Sequence, residues 1–411
     1  MNSRMGNPAH VCTPGGGYTS EKAIDPSKQT KVSSTMMDKS IGGEHIRLKV
    51  IQLCHAGLDS WTLRAELLKR LRKVMWSNEA FFATIDPTTL LFTGAVVDPV
   101  LERAAPLFLD NEFLQDDVLK IRWMAQTHQL VGTLYEATQG DLRRSPRYRR
   151  ILAPINMGNE LRAVFLTDSA CWGSLCLHRE NSSAPFTPAE IAFLKPLTPH
   201  IAEGLRKALL LGSTAAPQRL DGPGVLLLAD DFSPVTITPS AQHWLAELSS
   251  ADKQPAHALP MAVRSVATRL QALEGSHEGW PELMPKVRVR APSGMWLTLH
   301  ASWLAESFGG ARMVVIFERA QPAEITPLIV QAYDLSRRER ELVQLVLQGY
   351  STSEIAATLC ITAHTVQDHL KAIFEKVDVR SRRELVARIY TQHYQPHIAA
   401  RHSLDATGWF A

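Results

Sequence analysis

Residues 362–377 carry polar side chains at a spacing that suits recognition of another molecule. If this stretch is a helix, four polar residues share one side of it: His364, Gln367, Asp368 and Lys371. Together they offer hydrogen-bond donors, acceptors and charges of both signs, and such groups can read base edges in a major groove. The pattern alone fits a surface that contacts a nucleic acid equally well as one that contacts another protein.

The other side of the same stretch is apolar and predicts a helix that packs on a core. Its apolar residues follow helical spacing: Val366, Leu370, Ile373, Phe374 and Val377. A second helical segment, about 352–358, precedes it, and only residues 359–361 separate the two. Two helices joined so tightly have the layout of a helix-turn-helix, whose second helix can lie in a DNA major groove.

Helix start signals surround this pair. Three segments begin with Ser-x-x-Glu, a capping box in which the serine oxygen accepts from an early helix N–H and the glutamate reaches back. The three pairs are Ser336 with Glu339, Ser351 with Glu354 and Ser381 with Glu384. Another helix starts at Thr362, where Ile361 and Val366 have the spacing of a hydrophobic staple. Four short helices are therefore predicted, at about 336–348, 352–358, 362–377 and 381–392.

Residues 335–390 resemble the LuxR-type, or GerE-type, helix-turn-helix of bacterial transcriptional regulators. The resemblance rests on Leu335-Ser336-x-Arg338-Glu339-x-Glu341, Gly349-Tyr350-Ser351-Thr352-x-Glu354-Ile355-Ala356, Ile361-Thr362-x-x-Thr365-Val366-x-x-His369, Ile373-Phe374-x-Lys376 and Val379-Arg380-Ser381-Arg382. It implies an all-α four-helix domain that binds double-stranded DNA, a homodimer, and RNA polymerase as a further partner.

The resemblance also implies roles for single residues. Gln367, Asp368 and Lys371 would face the groove, with His364 on the same side. Residues near phosphates would be Thr365, Lys376, Arg380 and Arg382. The last helix would dimerise through Leu385, Val386 and Ile389.

Two positions depart from the family pattern. Gln367 stands where Lys or Arg is usual, and the neighbouring Asp368 adds a negative charge, so the operator sequence stays open. Asp378 stands where the family favours Gly, and aspartate adopts the left-handed conformation at modest cost.

Two α/β units precede the helical module. Residues 45–212 have flanking helices (46–56 and 61–75), strands, and a long closing helix at 188–211, and this order resembles a GAF-type sensor domain. Residues 224–320 run strand, strand, two helices and three strands, which resembles a PAS-type sensor. The expected fold class is multidomain α+β: a GAF-like α/β sensor, a PAS-like α/β sensor and an all-α four-helix helix-turn-helix C-terminal domain.

The remaining boundaries follow from composition. The segments are a disordered tail at 1–44, a linker at 213–223, a linker helix at 321–333, the DNA-binding domain at 334–392 and a C-terminal tail at 393–411. Met36 and Met37 raise the hypothesis that translation starts there.

Three pairs or groups of residues suggest other chemistry, and in each case a required residue is missing. Asp230 and Asp231 follow a hydrophobic strand as in a phospho-receiver, but no Asp occurs between Lys253 and Tyr333 to accept a phosphate. Cys176 and His178 share a strand face, with Cys171 predicted on the other, but no orienting acid accompanies them, so buried structural roles are favoured. Cys360 and His364 are four apart without a second ligand pair, and Cys360 is interpreted as a small core residue. No catalytic or metal site is predicted.

Composition is consistent with these interpretations. The 411 residues are 45% hydrophobic, which excludes wholesale disorder, and 44 Lys+Arg against 41 Asp+Glu leave a formal charge of +3. The five cysteines are scattered, which fits a reducing cytoplasm, and no apolar run is long enough to span a membrane. The sequence thus predicts a non-enzymatic, cytoplasmic transcriptional regulator controlled by a ligand or partner. The alternatives are a signalling enzyme or a protein-interaction scaffold. The cofactor and the effector stay open.

Overall fold

A computed structural model describes residues 43–167, 170–210, 222–254, 258–275, 284–305, 311–333 and 335–394. Most of the predicted N-terminal tail, both methionines proposed as a start, most of the 213–223 linker and residues 395–411 of the C-terminal tail lie outside these ranges.

The first sheet has five antiparallel strands in the order β2-β1-β5-β4-β3. The strands are β1 (Glu79–Ile85), β2 (Phe92–Val97), β3 (Val131–Thr133), β4 (Met157–Thr167) and β5 (Ala170–Glu180). The helices around it are α1 (43–54), α2 (Ser60–Leu71), α3 (Pro99–Leu114), α4 (Ile121–Thr127), α5 (Leu134–Ala137), α6 (Pro188–Leu194) and α7 (Thr198–Leu210).

Both faces of the first sheet are covered. One face forms a core with α1, α2 and α7 that includes Val50, Leu67, Phe82, Phe165 and Leu205. The other face packs under α3 and α4 through a second cluster that includes Phe92, Leu109 and Met124. Successive side chains of a strand point to opposite faces of the sheet, and apolar residues lie on both faces here. One sheet therefore contributes to two separate cores.

The closing helix differs from its prediction. Thr187 and Glu190 form the expected capping box, but the predicted helix at 188–211 divides into α6 and α7 around a 3₁₀ turn, Lys195–Leu197. Pro196 has no N–H to donate to the preceding turn, and Pro199 follows closely, so a continuous α-helix is disfavoured there.

The placement of Cys171 was also wrong. It packs in the same core cluster as Leu166 and Val164, on the α3 side of the sheet, where Cys176 also lies. The pairing of β4 with β5 is irregular between Phe165 and Leu166, and such a bulge breaks strict alternation.

The second sheet repeats the strand order of the first, as β7-β6-β10-β9-β8, again antiparallel. Its strands are β6 (Gly224–Leu228), β7 (Pro234–Ile237), β8 (Lys286–Arg290), β9 (Trp296–Ala305) and β10 (Ala311–Arg319). The helices α8 (Pro239–Ala251) and α9 (Met261–Gly275) connect the second strand to the third. In each sheet, therefore, the first strand pairs with the second and the fifth.

An ion pair joins the two sheets. Arg288 of β8 donates from Nη2 to Oδ1 of Asp86 at 2.6 Å and from Nε to Oδ2 at 3.0 Å. Asp86 follows β1, and its side chain is fully buried. The pair is therefore bidentate, the strongest geometry for a guanidinium and a carboxylate.

The chain ends in five helices: α10 (Pro322–Ala332), α11 (Arg337–Leu347), α12 (Thr352–Leu359), α13 (Ala363–Val377) and α14 (Arg382–Tyr394). The first of these, α10, is held near both ends. Arg288 Nη1 donates to the Glu324 carbonyl at 2.6 Å, and Arg206 Nη1 of α7 donates to the Gln331 carbonyl at 3.2 Å. Pro327 lies inside this helix.

Candidate nucleic-acid interface

Local hydrogen bonds fix the turn between α12 and α13. Ser351 and Glu354 form the predicted capping box at the start of α12. Cys360 ends the helix in the left-handed conformation, with φ +54°. Thr362 then caps α13, because its Oγ1 accepts from the Thr365 N–H at 3.1 Å. The two helices are thus connected by residues 360–362, one residue later than the predicted connection at 359–361.

The amphipathic division of α13 is confirmed. Four residues of the predicted stripe are buried, Val366, Leu370, Ile373 and Val377, and Phe374 is partly buried. This stripe packs against α11, α12 and α14, and it fixes which side of α13 faces outward.

The outward side of α13 carries the predicted polar group. His364, Gln367, Asp368 and Lys371 are all exposed. His364 Nδ1 and Asp368 Oδ2 lie 3.0 Å apart, one helical turn from each other, while Gln367 and Lys371 make no hydrogen bond with the described residues. The structure therefore brings all four side chains together on one accessible surface, which we call the α13 face.

The four residues predicted to contact phosphates differ in their surroundings. Arg380 is exposed, and Thr365 is partly buried with its Oγ1 2.9 Å from Thr362 Oγ1. Arg382 is partly buried and donates to the Tyr350 carbonyl, which ties the start of α14 to the turn before α12. Lys376 donates to Glu339 Oε2 at 2.7 Å.

The Lys376 contact gives that residue a structural role. Burial opposes ionisation of Glu339, but hydrogen bonds from Lys376 and from the Ser336 backbone N–H outweigh it and lower the pKa of Glu339. Lys376 thus links α13 to the capping box that starts α11. Sequence reasoning missed this link because the two residues are far apart in the chain.

The start of α14 also differs from the prediction. Ser381 Oγ accepts from the Glu384 N–H at 3.1 Å, as a capping box requires. The Glu384 carboxylate, however, accepts from the Arg380 N–H at 2.7 Å instead of that of Ser381. The reciprocal bond is shifted by one residue and fixes the backbone of Arg380.

The predicted dimer residues lie mostly inside the chain. Leu385 and Ile389 are fully buried in the core that α14 forms with α10, α11 and α13, and Val386 is partly buried. Leu385 and Ile389 therefore hold α14 to its own chain in this conformation, and of the three only Val386 keeps exposed surface.

Three of the four described cysteines are buried. Cys54, Cys171 and Cys176 are buried free thiols, and burial raises the pKa of each to about 12. Cys360 was predicted to be a core residue, but it is exposed, at the left-handed position that ends α12. Within the described ranges, no group of three or more His, Cys, Asp or Glu residues is arranged to hold a metal ion.

A buried ionic cluster on β4 escaped the sequence analysis. Arg147 contacts Glu160 at 2.7 Å, Glu160 contacts Arg162 at 2.9 Å, and Arg162 contacts Glu112 at 2.9 Å. The two arginines hold the pKa of Glu160 at about 2, against the opposing effect of its burial. The alternation Glu160-x-Arg162 within a mostly apolar strand was the available signal.

Two short capped helices in tight succession, packed between two further helices, define a helix-turn-helix module. Residues 334–389 match the family model described as bacterial regulatory proteins, luxR family. The chain is 36% identical over 55 residues to the spore germination protein GerE of Bacillus subtilis, which is 13% of this chain and 74% of that protein. The chain therefore belongs to the luxR family of bacterial regulatory proteins.

Other relatives match over the same region only. The transcriptional regulatory protein DesR of Bacillus subtilis is 37% identical over 67 residues, which is 16% of this chain and 34% of that protein. The monoamine regulon transcriptional regulator of Klebsiella aerogenes is 45% identical over 56 residues, 14% of this chain and 25% of that protein. The chain thus spans about a third or less of these two relatives.

Solved structures resemble more of the chain, but weakly. Escherichia coli SdiA is 11% identical and covers 84% of this chain and 96% of its own, with a TM-score of 0.30. The VqsR LBD domain of Pseudomonas aeruginosa is 15% identical and covers 40% and 97%, also with a TM-score of 0.30. None of the described helices is both long and apolar enough to cross a membrane.

Proposed function

We propose that the protein is a sequence-specific DNA-binding transcriptional regulator in which α13 enters the major groove. The observation that carries this proposal is the exposed α13 face on a helix whose opposite side is locked into the core of a luxR-family module. A rigid helix with donors and acceptors along one side is what direct readout of base edges requires.

We assign base contacts to the α13 face. Gln367 can make paired hydrogen bonds to adenine, Asp368 can accept from the cytosine amino group, and Lys371 can donate to guanine. His364 reaches Asp368 through Nδ1 and so orients the carboxylate as well as extending the contact surface. On the α13 face the positive charge of Lys371 is balanced by the negative charge of Asp368. We therefore expect contacts with bases, more than net charge, to determine the affinity for DNA.

We assign phosphate contacts to the flank of the same surface. Arg380 is exposed and Thr365 lies in the first turn of α13, where helix N–H groups favour an anion. Lys376 and Arg382 already have partners within the chain, so we give them a supporting role in which a phosphate shares their remaining donors.

The two sheets support a sensory role for the front of the chain. Their shared order, second-first-fifth-fourth-third, is consistent with the GAF-like and PAS-like domains that the sequence suggests. We propose that a small-molecule effector or a partner binds one arrangement of these domains better and shifts its population. The contacts of Arg288 and Arg206 with α10 would carry that shift toward the DNA-binding module. A cytoplasmic homodimer that meets RNA polymerase on DNA completes the proposal.

Selection from random DNA duplexes with the full chain tests this function. We expect enrichment of one motif, and Gln367→Ala should change the preferred base at one position. Gln344→Ala is the matched control, because Gln344 is exposed on α11 and is not part of the α13 face. Failure to enrich any motif would contradict the proposal and favour a protein-interaction scaffold.

A further inference from the structure

A cleft lies between helices of the first sheet and α9 of the second. Its volume is about 400 Å³, within the range of about 300–1,000 Å³ that is typical of sites for small organic molecules. Residues between 112 and 126, from the end of α3 into α4, line one side, and Arg269, Ala272 and Leu273 of α9 line the other. An engineered cavity of about 150 Å³ holds benzene, so this cleft has room for a molecule of two fused rings.

A buried arginine of this cleft has no polar partner. Arg269 is 8% exposed, yet its guanidinium forms no hydrogen bond or ion pair with any residue that the structure describes. Its Cζ lies 4.6 Å from the centroid of the Phe113 ring. Burial and the nearby Arg122 lower the pKa of Arg269 to about 10, so the group is charged at pH 7. An arginine is almost never buried this far without a paired charge, because a buried charge without a partner is costly.

Arg269 carries a positive charge in excess of the acids around it. Among the described residues, three buried carboxylates lie in or beside the cleft and three other cations accompany them: Glu112, Asp117 and Glu160, with Arg147, Arg162 and Lys120. Glu112 favours the charged form of Arg269, but its Oε2 already accepts from Arg162 at 2.9 Å. Asp116 also lines the cleft, but it is exposed, so water screens its charge. The charge of Arg269 is therefore not matched by a carboxylate of its own.

Apolar side chains are exposed around the same cleft. Leu114, Trp123 and Leu273 line it, and they are between 36% and 46% exposed. Apolar groups gathered at one place on a surface mark a site where another molecule binds. The cleft thus combines an apolar mouth with a buried cation.

From these observations we propose that the cleft binds a small organic monoanion, whose carboxylate pairs with Arg269 and whose apolar body lies against Trp123 and Leu273. A guanidinium and a carboxylate can form two parallel hydrogen bonds, and one carboxylate cancels one excess positive charge. This inference deepens the proposed function by naming the chemical class of the effector, and it rests on that function for its regulatory meaning. Binding itself can be measured without DNA.

Such a ligand would contact elements of both sheets. Arg269 belongs to α9, which follows the first two strands of the second sheet, whereas Trp123 belongs to α4 on the first sheet. The helix α9 also packs against α3 and β2. A molecule held from both sides would stabilise the arrangement in which these elements lie close together, which is the population shift that the proposed function requires.

The test uses the full chain and three probes: naphthoate, naphthamide and acetate. Naphthamide, substituted at the same ring carbon, has the shape of naphthoate without its charge, and acetate has the charge without the rings. We expect saturable binding of naphthoate by calorimetry. The dissociation constants of naphthamide and acetate should be at least about tenfold larger, because the first loses the charged hydrogen bonds and the second the apolar contact.

Arg269→Met removes the charge and keeps a long side chain. The ratio of naphthamide to naphthoate dissociation constants should fall about tenfold, toward one, while naphthamide still binds. Arg264→Met is the matched control, because Arg264 lies on the same helix but does not line the cleft, and it should leave this ratio unchanged. Arg269→Gln makes the same comparison if Arg269→Met does not fold.

Occlusion locates the binding. Ala272→Trp places a large ring in the cleft from α9 and should abolish binding of naphthoate and naphthamide. Gln126→Trp, from α4, fills the opposite side if that variant does not fold.

Four results would overturn the inference: no saturable naphthoate binding, naphthamide bound as tightly as naphthoate, a ratio that Arg269→Met leaves unchanged, or naphthoate binding that persists in a folded occluded variant. Probe binding without any enriched duplex would contradict the proposed function and leave the cleft assignment standing. An enriched duplex without probe binding would do the reverse.

Discussion

Replacing Arg288 by alanine tests how firmly the two sheets are joined. Besides its two bonds to the Asp86 carboxylate, Arg288 donates its backbone N–H to Asp86 Oδ2 at 3.0 Å and its Nη1 to the Glu324 carbonyl. The Arg288 side chain is 10% exposed and that of Asp86 is 0% exposed. Arg288→Ala would therefore leave a fully buried carboxylate without its cation.

Removal of one partner from a buried ion pair costs about 3–5 kcal/mol, most of it from the charge left behind. We expect Arg288→Ala to lower the free energy of unfolding by that amount. The double variant Asp86→Ala/Arg288→Ala should lose clearly less than the sum of the two single variants, because it leaves no orphaned charge.

Urea unfolding followed by tryptophan fluorescence measures all three variants. Arg337→Ala is the control, since its side chain is 91% exposed beside Glu341 and the change should cost less than about 1 kcal/mol. The reasoning is refuted if Arg288→Ala costs no more than Arg337→Ala, or if the losses at Asp86 and Arg288 simply add.

Three further predictions follow from single residues. Because the pKa of buried His178 is about 4 when folded and about 6.5 when unfolded, the unfolded chain binds more protons between these values, so stability falls as pH drops through them. The loss in free energy of unfolding between pH 7 and pH 4.5 should be about 2–3 kcal/mol larger in the wild type than in His178→Phe. An equal loss in both proteins would contradict the lowered pKa of His178. Arg380→Ala should weaken binding to all duplexes alike and reduce the salt slope by about one, whereas an unchanged slope would exclude a phosphate contact. Asp378→Gly should raise the melting temperature by a few degrees, since Asp378 has φ +56°, and a lower value would contradict the strain argument.

The helices were the most predictable part of the fold because their signals are local. The capping boxes at Ser336 and Ser351 and the stripe on α13 act within one or two turns, so the sequence alone located four helices to within a few residues. The helix predicted at 188–211 is interrupted at Pro196, because proline has no N–H to donate within a helix. This rule is also local and could have been applied to the sequence.

The sequence predicted which residues lie on the exposed side of α13, but not which other residues the neighbouring side chains contact. Helical spacing places Gln367 and Lys371 on one face, and they are there. That Lys376 pairs with Glu339, and Arg382 with the Tyr350 carbonyl, depends on how distant helices pack. The side of the sheet on which Cys171 lies depends on a bulge, which no alternation rule supplies.

The helix α10 is held at both ends by side chains of other elements. Its first turn is fixed to the second sheet through Arg288 and Lys286, and its last turn to α7 through Arg206. Pro327, which lies between these contacts, has no N–H to donate to the carbonyl of residue 323, so α10 bends most easily near its middle. If one end of α10 moved relative to the other, the helix would therefore kink at Pro327. The helix α14, which packs against α10, would tilt with it.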